Sequence, residues 1–218
     1  MEMDVAVVLL DIDGTLVDNT VQHIEAWQEA LSSLGLKVER ERLRQNIGKG
    51  GDKFVPSVAG DEWDREHGDQ ARELHGKAYR ARLPTVRPLP FVADFFNGLN
   101  ERSIRPVLAS SSNKEEVAAN LKVIGRRPEE FLVVDKSQIE QSKPAPDVFA
   151  VALKKSGVSA AEAAAVGDTR WDGESATQLG VTFWGVLTGG GTEAELKAGR
   201  ARAVYPDLSG VLSAISSH

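Results

Sequence analysis

Val5-Ala6-Val7-Val8-Leu9-Leu10-Asp11-Ile12-Asp13-Gly14-Thr15 sets two carboxylates, two residues apart, at the end of an unbroken apolar run. A continuous apolar run rich in β-branched side chains predicts a strand buried on both faces, as in a parallel sheet covered by helices. Such sheets bind ligands at the carboxyl ends of their strands, where Asp11 and Asp13 fall. Alternate residues of an extended chain point the same way, and the Asp13-Gly14 pair turns the chain, so both carboxylates can border one pocket. Taken alone, the pair is explained equally well as an ordinary Asp-Gly turn.

Beyond Leu16 the texture changes. Ile24, Trp27, Leu31 and Leu34 follow helical spacing, and as far as Pro84 the sequence stays charged, helical in pattern and poor in strand signals. This predicts a helical insertion over 17–84. Pro84, Pro88 and Pro90 then stiffen the chain, which suits a hinge or domain boundary. From there a βα rhythm resumes. Strands are predicted at 104–110, 131–135, 163–166, 181–187 and 203–204, and helices at 112–124, 146–155, 172–179, 192–197 and 208–215. Ser112 with Glu115, Ser159 with Glu162, and Thr192 with Glu195 have capping-box spacing. Alternation of this kind predicts an α/β fold: a doubly wound parallel-sheet, Rossmann-like core over 1–16 and 85–218, carrying a small all-helical unit over 17–84 inserted after the first strand.

Composition narrows the function. A chain of 218 residues with 41% hydrophobic content can bury a full core as one large domain or a domain with an insertion. The formal charge of −6 is spread over both signs with no basic cluster, which argues against nucleic acid and anionic membranes as partners. The absence of cysteine excludes disulfides, thiolate metal sites and cysteine nucleophiles. The early apolar run ends at Asp11, too short for a signal-peptide core or a membrane span, so the expected setting is soluble and cytoplasmic.

Further reactive groups fall at the carboxyl ends of other predicted strands. Ser110 follows the second, Lys143 lies before the helix at Pro146, and Asp168 and Asp172 follow the strand at 163–166. A doubly wound sheet gathers these ends on one edge. Singly, each has an ordinary reading as a turn hydroxyl, a solvated lysine or a cap. Other patterns fail: Gly48-Lys49-Gly50-Gly51 and Gly76-Lys77 lack the Ser or Thr that follows lysine in a nucleotide-binding phosphate loop. His23, His67, His75 and His218 have no zinc-type spacing. The charge-dense stretch from Asp61 to Arg82 reads as a solvated helical face.

In order, Asp11-Ile12-Asp13-Gly14-Thr15, Val107-Leu108-Ala109-Ser110, Ser142-Lys143-Pro144-Ala145-Pro146-Asp147 and Val166-Gly167-Asp168-Thr169-Arg170-Trp171-Asp172 resemble the four motifs of the haloacid dehalogenase-like superfamily. The helical stretch 17–84 resembles that superfamily's C1-type cap. The resemblance implies an enzyme in which Asp11 is the nucleophile and Asp13 the general acid and base. Ser110 and Lys143 then contact the phosphoryl oxygens. A carboxylate attacking a phosphate beside further carboxylates needs a cation, and Mg²⁺ answers that need. Its expected ligands are the Asp11 carboxylate, the Asp13 backbone carbonyl and the Asp168 carboxylate, with Asp172 acting through water or as an orienting group. Asp13 would need a raised pKa to serve as acid.

Specificity, by the same resemblance, comes from the cap, where His23, Trp27, Lys49 and Lys53 are candidates; Thr15 and Ser111, beside the motif residues, are further expected substrate contacts. The segment Asp18-Asn19-Thr20 with His23 and Trp27 is similar to that of β-phosphoglucomutases and of sugar-phosphate and phosphoglycolate phosphatases alike. Thr15, where the mutases often carry valine, favours hydrolysis of a small phosphorylated metabolite over mutase chemistry. A non-enzymatic phospho-accepting receiver module shares the aspartates, hydroxyl, lysine and Mg²⁺, but is shorter and lacks the insertion. A monomer is compatible with all of this, and no oligomeric state follows from it.

Overall fold

The computed structural model describes residues 5–216, and His218 lies outside them. The chain opens with β1 (Val7–Leu10) and β2 (Val17–Asp18), followed by four helices: α1 (Thr20–Ser33), α2 (Arg40–Arg44), α3 (Gly51–Ala59) and α4 (Asp61–Arg82). It continues through β3 (Arg87–Pro88), α5 (Val92–Glu101), β4 (Arg105–Ala109), α6 (Lys114–Val123), β5 (Leu132–Val134), α7 (Asp147–Ser156) and β6 (Ala163–Gly167). The last elements are α8 (Arg170–Thr177), β7 (Thr182–Val186), α9 (Glu193–Ala198), β8 (Ala203–Tyr205) and α10 (Leu208–Ser216).

Six strands form one sheet in the order β5-β4-β1-β6-β7-β8, and every neighbouring pair is parallel. All four residues of β1 are buried, as an apolar run in the middle of a covered sheet requires. Their alternation feeds two cores. Val8 and Leu10 pack with Phe95 and Leu99 of α5, Leu121 of α6 and Val211 of α10. Val7 and Leu9 face the opposite layer, with Phe149 of α7, Ala176 of α8 and Leu196 of α9. The doubly wound parallel sheet expected from the βα rhythm is the observed one.

The four helices α1 to α4 have a core of their own, in which Trp27, Leu31, Leu43, Phe54, Val55 and Ala71 are buried. Two features of this region depart from the sequence reading. The proline-rich stretch is half of a two-stranded antiparallel ribbon, with Val17 opposite Pro88 and Asp18 opposite Arg87. Strands of two residues carry too little periodicity to be seen in a sequence. The second departure is α4, which is not a wholly solvated face: Ala71, His75, Ala78 and Tyr79 are buried along one side. Its charges occupy the other side, and their density hides a spacing of three to four residues.

Helix starts follow local chemistry. Thr192 and Glu195 form the expected capping box of α9, and Ser159 with Glu162 caps a short 3-10 turn. The helix expected to start at Ser112 begins one residue later, with Asn113 as cap; Asn113 Oδ1 accepts from Glu116 N at 2.9 Å. Ser112 is used elsewhere, as the site shows. Among the described residues, no helix is long and apolar enough to cross a membrane.

Candidate active site

The carboxyl ends of β1, β4 and β6 converge as the parallel order requires, bringing Asp11, Ser110 and Asp168 to one edge. Asp11 ends β1, and Lys143 reaches it from the loop before α7, its Nζ 2.5 Å from Asp11 Oδ1 and 3.1 Å from the Ala109 carbonyl oxygen. The same ammonium stands 2.7 Å from Asp172 Oδ1. Lys143 and Asp172 are each 1% exposed, so their charges must be compensated internally. Burial works against the ammonium, but Asp11 and Asp172 outweigh it and hold Lys143 above the ordinary lysine range.

One lysine does not balance the site. Ligand atoms of Asp11, Asp168 and Asp172 all lie within 4.8 Å of one another. Burial pushes Asp11 up to about 7 against the pull of Lys143, with Asp172 and Asp13 adding to the rise. Burial, Asp11 and Asp172 likewise drive Asp168 well above the ordinary carboxylate range. Asp172 Oδ1 is buried with the Lys143 ammonium as its one partner among the described residues, while Oδ2 accepts from Thr169 N at 3.1 Å and Thr169 Oγ1 at 2.6 Å. Three buried carboxylates crowded around a single lysine, all hard oxygen donors, are what a divalent cation would resolve.

Glycine admits Asp168 to this cluster. A Cβ at Gly189 would lie 2.0 Å from Asp168 Oδ2, and one at Gly14 2.4 Å from it. Gly14 also has φ +75°, the left-handed region that favours glycine. Gly190 N closes the contact by donating to Asp168 Oδ2 at 2.5 Å.

Asp13 is held differently. Its Oδ1 accepts from Asn19 Nδ2 at 2.6 Å and Asn120 Nδ2 at 2.7 Å, and stands 3.3 Å from His23 Nε2. Its Oδ2 accepts from Ser112 Oγ at 3.0 Å. Tyr79 completes a ring: Asn19 Nδ2 donates to Tyr79 Oη at 2.7 Å, and Tyr79 Oη donates to Asn120 Oδ1 at 2.7 Å. Burial pushes the Asp13 carboxyl up, but His23, Asn19 and Ser112 together bring it down to about 2. The raised pKa expected from its carboxylate neighbours is therefore corrected. Burial, the influence that raises it, is outweighed because donors from α1, α6 and the loops converge on the ionised form.

Above the carboxylates lies a cavity of about 400 Å³ between the helical unit and the sheet edge, bordered by Asp11, Asp13, His23, Trp27, Lys49 and Ser111. His23 and His75 are 3.1 Å apart between Nδ1 and Nε2, and the His75 ring stacks on Trp27 at 4.0 Å between centroids. Burial, and His23 beside it, hold His75 well below the ordinary histidine range.

Other expected contacts sit elsewhere. Thr15, read as a substrate contact, is fully buried, its Oγ1 donating to Asp11 Oδ2 at 3.3 Å and Asp168 Oδ1 at 3.4 Å. It supports the carboxylates from beneath. Ser110 is also fully buried and accepts from Ser112 N at 3.0 Å, which leaves its own hydroxyl proton uncommitted. Lys53 donates to Gln141 Oε1 at 2.8 Å, outside the cavity wall. Tyr79, His75 and Asn120 had drawn no role at Asp13 from the sequence, for their helices gave no sign of meeting it, and Ser112, expected as a helix cap, donates to Asp13 instead.

Two polar latches join the helical unit to the sheet edge. Arg44 of α2 pairs with Glu195 of α9 at 2.8 Å, and Asp52 of α3 pairs with Lys136 at 2.8 Å while accepting from Ser142 N at 3.2 Å.

Comparisons with known proteins agree with this geometry. A family model described as haloacid dehalogenase-like hydrolase matches residues 5–180. The chain is similar to "Probable phosphatase IndB" of Dickeya dadantii, with 28% identity over 95% of this chain and 92% of that protein. It is 30% identical to a phosphoglycolate phosphatase of Pseudomonas fluorescens over 84% of this chain and 69% of the relative. Among solved structures, a hydrolase from Pseudomonas syringae superimposes with a TM-score of 0.93 at 27% identity, covering 99% of each chain.

Proposed function

The chain belongs to the haloacid dehalogenase-like hydrolases, and from that premise we propose that it is a Mg²⁺-dependent phosphatase of small phosphomonoesters, either sugar phosphates or phosphoglycolate. The observation that carries this reading is the excess of buried carboxylate over cation at Asp11, Asp168 and Asp172, with Lys143 among them.

Mg²⁺ fits the donor set, with the Asp11 and Asp168 carboxylates and the Asp13 backbone carbonyl as holders and Asp172 beside them. Bound there, it would neutralise the carboxylates and the incoming phosphate. The protein's own groups do the rest. An oxygen of Asp11 attacks phosphorus, forming an Asp11–phosphate bond as the bond from phosphorus to the leaving oxygen breaks. The Lys143 ammonium and the uncommitted Ser110 hydroxyl donate to the phosphoryl oxygens. Asp13 gives a proton to the leaving oxygen, then takes one from the water that attacks the phosphoaspartate, which releases phosphate and restores Asp11.

In the arrangement described, Asp13 is ionised and so poised for the second of these steps. For the first it must carry a proton, which requires the contacts from Asn19, Asn120 and Ser112 to loosen; His23, 3.3 Å away, is the adjacent proton carrier. Residues 17–84 serve in this reading as a cap that closes the cavity over the substrate.

The test is phosphate release from a panel of small phosphomonoesters with and without Mg²⁺, alongside an assay for conversion of β-glucose 1-phosphate to glucose 6-phosphate. Multiple turnovers of phosphate release that vanish in Asp11→Asn support the reading. Isomerised sugar phosphate without release would make the chain a mutase, and activity surviving in Asp11→Asn would remove the nucleophile.

A further inference from the structure

Glu116 is the one carboxylate on the cavity wall without an ion pair among the described residues. It is 6% exposed and borders the cavity. Its backbone amide is used by Asn113, and its carboxylate has no ion pair, the Asn113 side chain being its one hydrogen-bonding neighbour among the described residues. Burial pushes the carboxyl above its usual range, with His23 pulling against it.

The cations of the same wall are already committed. Arg72 pairs with Asp64 at 2.7 Å and Asp69 at 2.9 Å, and Lys136 pairs with Asp52 at 2.8 Å. Lys49 donates to Asn46 Oδ1 and Ser57 Oγ, each at 2.8 Å, and its ammonium lies 4.0 Å over the Trp171 ring. Two of these cations are thus neutralised by carboxylates and Lys49 is held by neutral partners, while the Glu116 carboxylate faces the cavity without an ion pair.

Its place is one helical turn from a residue that touches Asp13. Glu116 precedes Asn120 by four residues on α6, so the two share a face of the helix at about 6 Å, and Asn120 touches Asp13 directly. On the other side, Glu116 Oε1 faces Gly76 of α4, where a Cβ would lie 3.5 Å from it and 3.2 Å from Arg80 Nη1, so the Arg80 guanidinium acts on Glu116 through space without an ion pair.

We propose that Glu116 sets specificity by accepting a hydrogen bond from a hydroxyl or ammonium group of the substrate's leaving group, and that it turns away esters whose leaving group carries a carboxylate. The proposal rests on the reading of Asp13 as the residue at the leaving oxygen. It favours polyol, sugar or amino-alcohol phosphates over phosphoglycolate. A buried acceptor built for a donor rejects a partner that lacks one more sharply than apolar contacts do.

The experiment compares kcat/KM for glycerol 1-phosphate, phosphoethanolamine and phosphoglycolate on the full chain with Mg²⁺. The better of the first two should exceed phosphoglycolate by about tenfold or more, and Glu116→Leu should shrink that ratio by about ten- to a hundredfold. Glu116→Gln separates the two donors, since its neutral oxygen still accepts from a hydroxyl but loses the charge that favours ammonium. Circular dichroism melts check that the variants fold, and the ratio on the unsubstituted chain needs no variant.

Binding of the same esters to Asp11→Asn, read by tryptophan fluorescence with Trp27 in the cavity wall, gives the preference without turnover. Preference for phosphoglycolate, equal binding of all three, no binding of either donor-bearing ester, or a ratio unchanged in Glu116→Leu would overturn the proposal. Hydrolysis of no ester alongside a clear binding preference would instead overturn the phosphatase reading.

Discussion

The side-chain amide of Asn120 donates to Asp13 Oδ1 at 2.7 Å, so a helix flanking the sheet helps to hold a carboxylate just beyond the central strand. Asn120→Ala removes a donor to the ionised form, and the Asp13 carboxyl moves up from about 2. The limb of the pH–rate profile that Asp13 sets should shift to higher pH by about one unit, the weight of one charge-assisted hydrogen bond. A pH–rate profile of the variant beside the unsubstituted chain measures the shift.

Tyr79 links Asn19 to Asn120, and the ring they form with Asp13 joins the helical unit to the sheet layer. Tyr79→Phe keeps the packing but leaves two buried amides each short of a partner. Urea unfolding should show a loss of about 1–3 kcal/mol.

Asp168 is buried among like charges, and Asp168→Asn keeps its shape while removing the charge. In EDTA this variant should melt at or above the temperature of the unsubstituted chain. With Mg²⁺ the order should invert: metal at a hundred times its Kd stabilises a competent site by about 2.7 kcal/mol, and the variant should lose most of that gain. Differential scanning calorimetry with and without Mg²⁺ reads both arms.

Arg44 draws Glu195 down to about 2 through its hydrogen bonds, against the opposing effect of burial and with help from Thr192. Because the folded-state value is depressed, the stabilisation is fully present above the ordinary glutamate value of 4.5 and is lost as pH falls through about 2. The pair is partly solvated, so its worth is about 0.5–1 kcal/mol. The melting-temperature gap between the unsubstituted chain and Glu195→Gln should be constant near neutrality and close between pH 4.5 and 2.

Much of the fold was legible because its signals are local. The apolar, β-branched run Val5 to Leu10 predicts a covered strand, and β1 lies at the centre of the sheet with all its residues buried. The capping boxes at Ser159 and Thr192 are complete within four residues. The ribbon of Val17–Asp18 with Arg87–Pro88 was hidden, for each strand is two residues long and its partner is seventy residues away. The buried side of α4 was hidden by charge density, and with it went His75 and Tyr79.

For the site, the sequence alone determined which groups could meet: Asp11, Ser110 and Asp168 each end or follow a strand, and parallel strands deliver their carboxyl ends to one edge. What only the tertiary structure decided is the state and use of those groups. Asp13 is ionised because donors 6, 10, 99 and 107 residues away close on it. Thr15 turns under the carboxylates, and Glu116 is left over the cavity without an ion pair. A pKa depends on distance and desolvation, and both are set by the packing of α1, α4 and α6 around the sheet edge, which no spacing within the chain encodes.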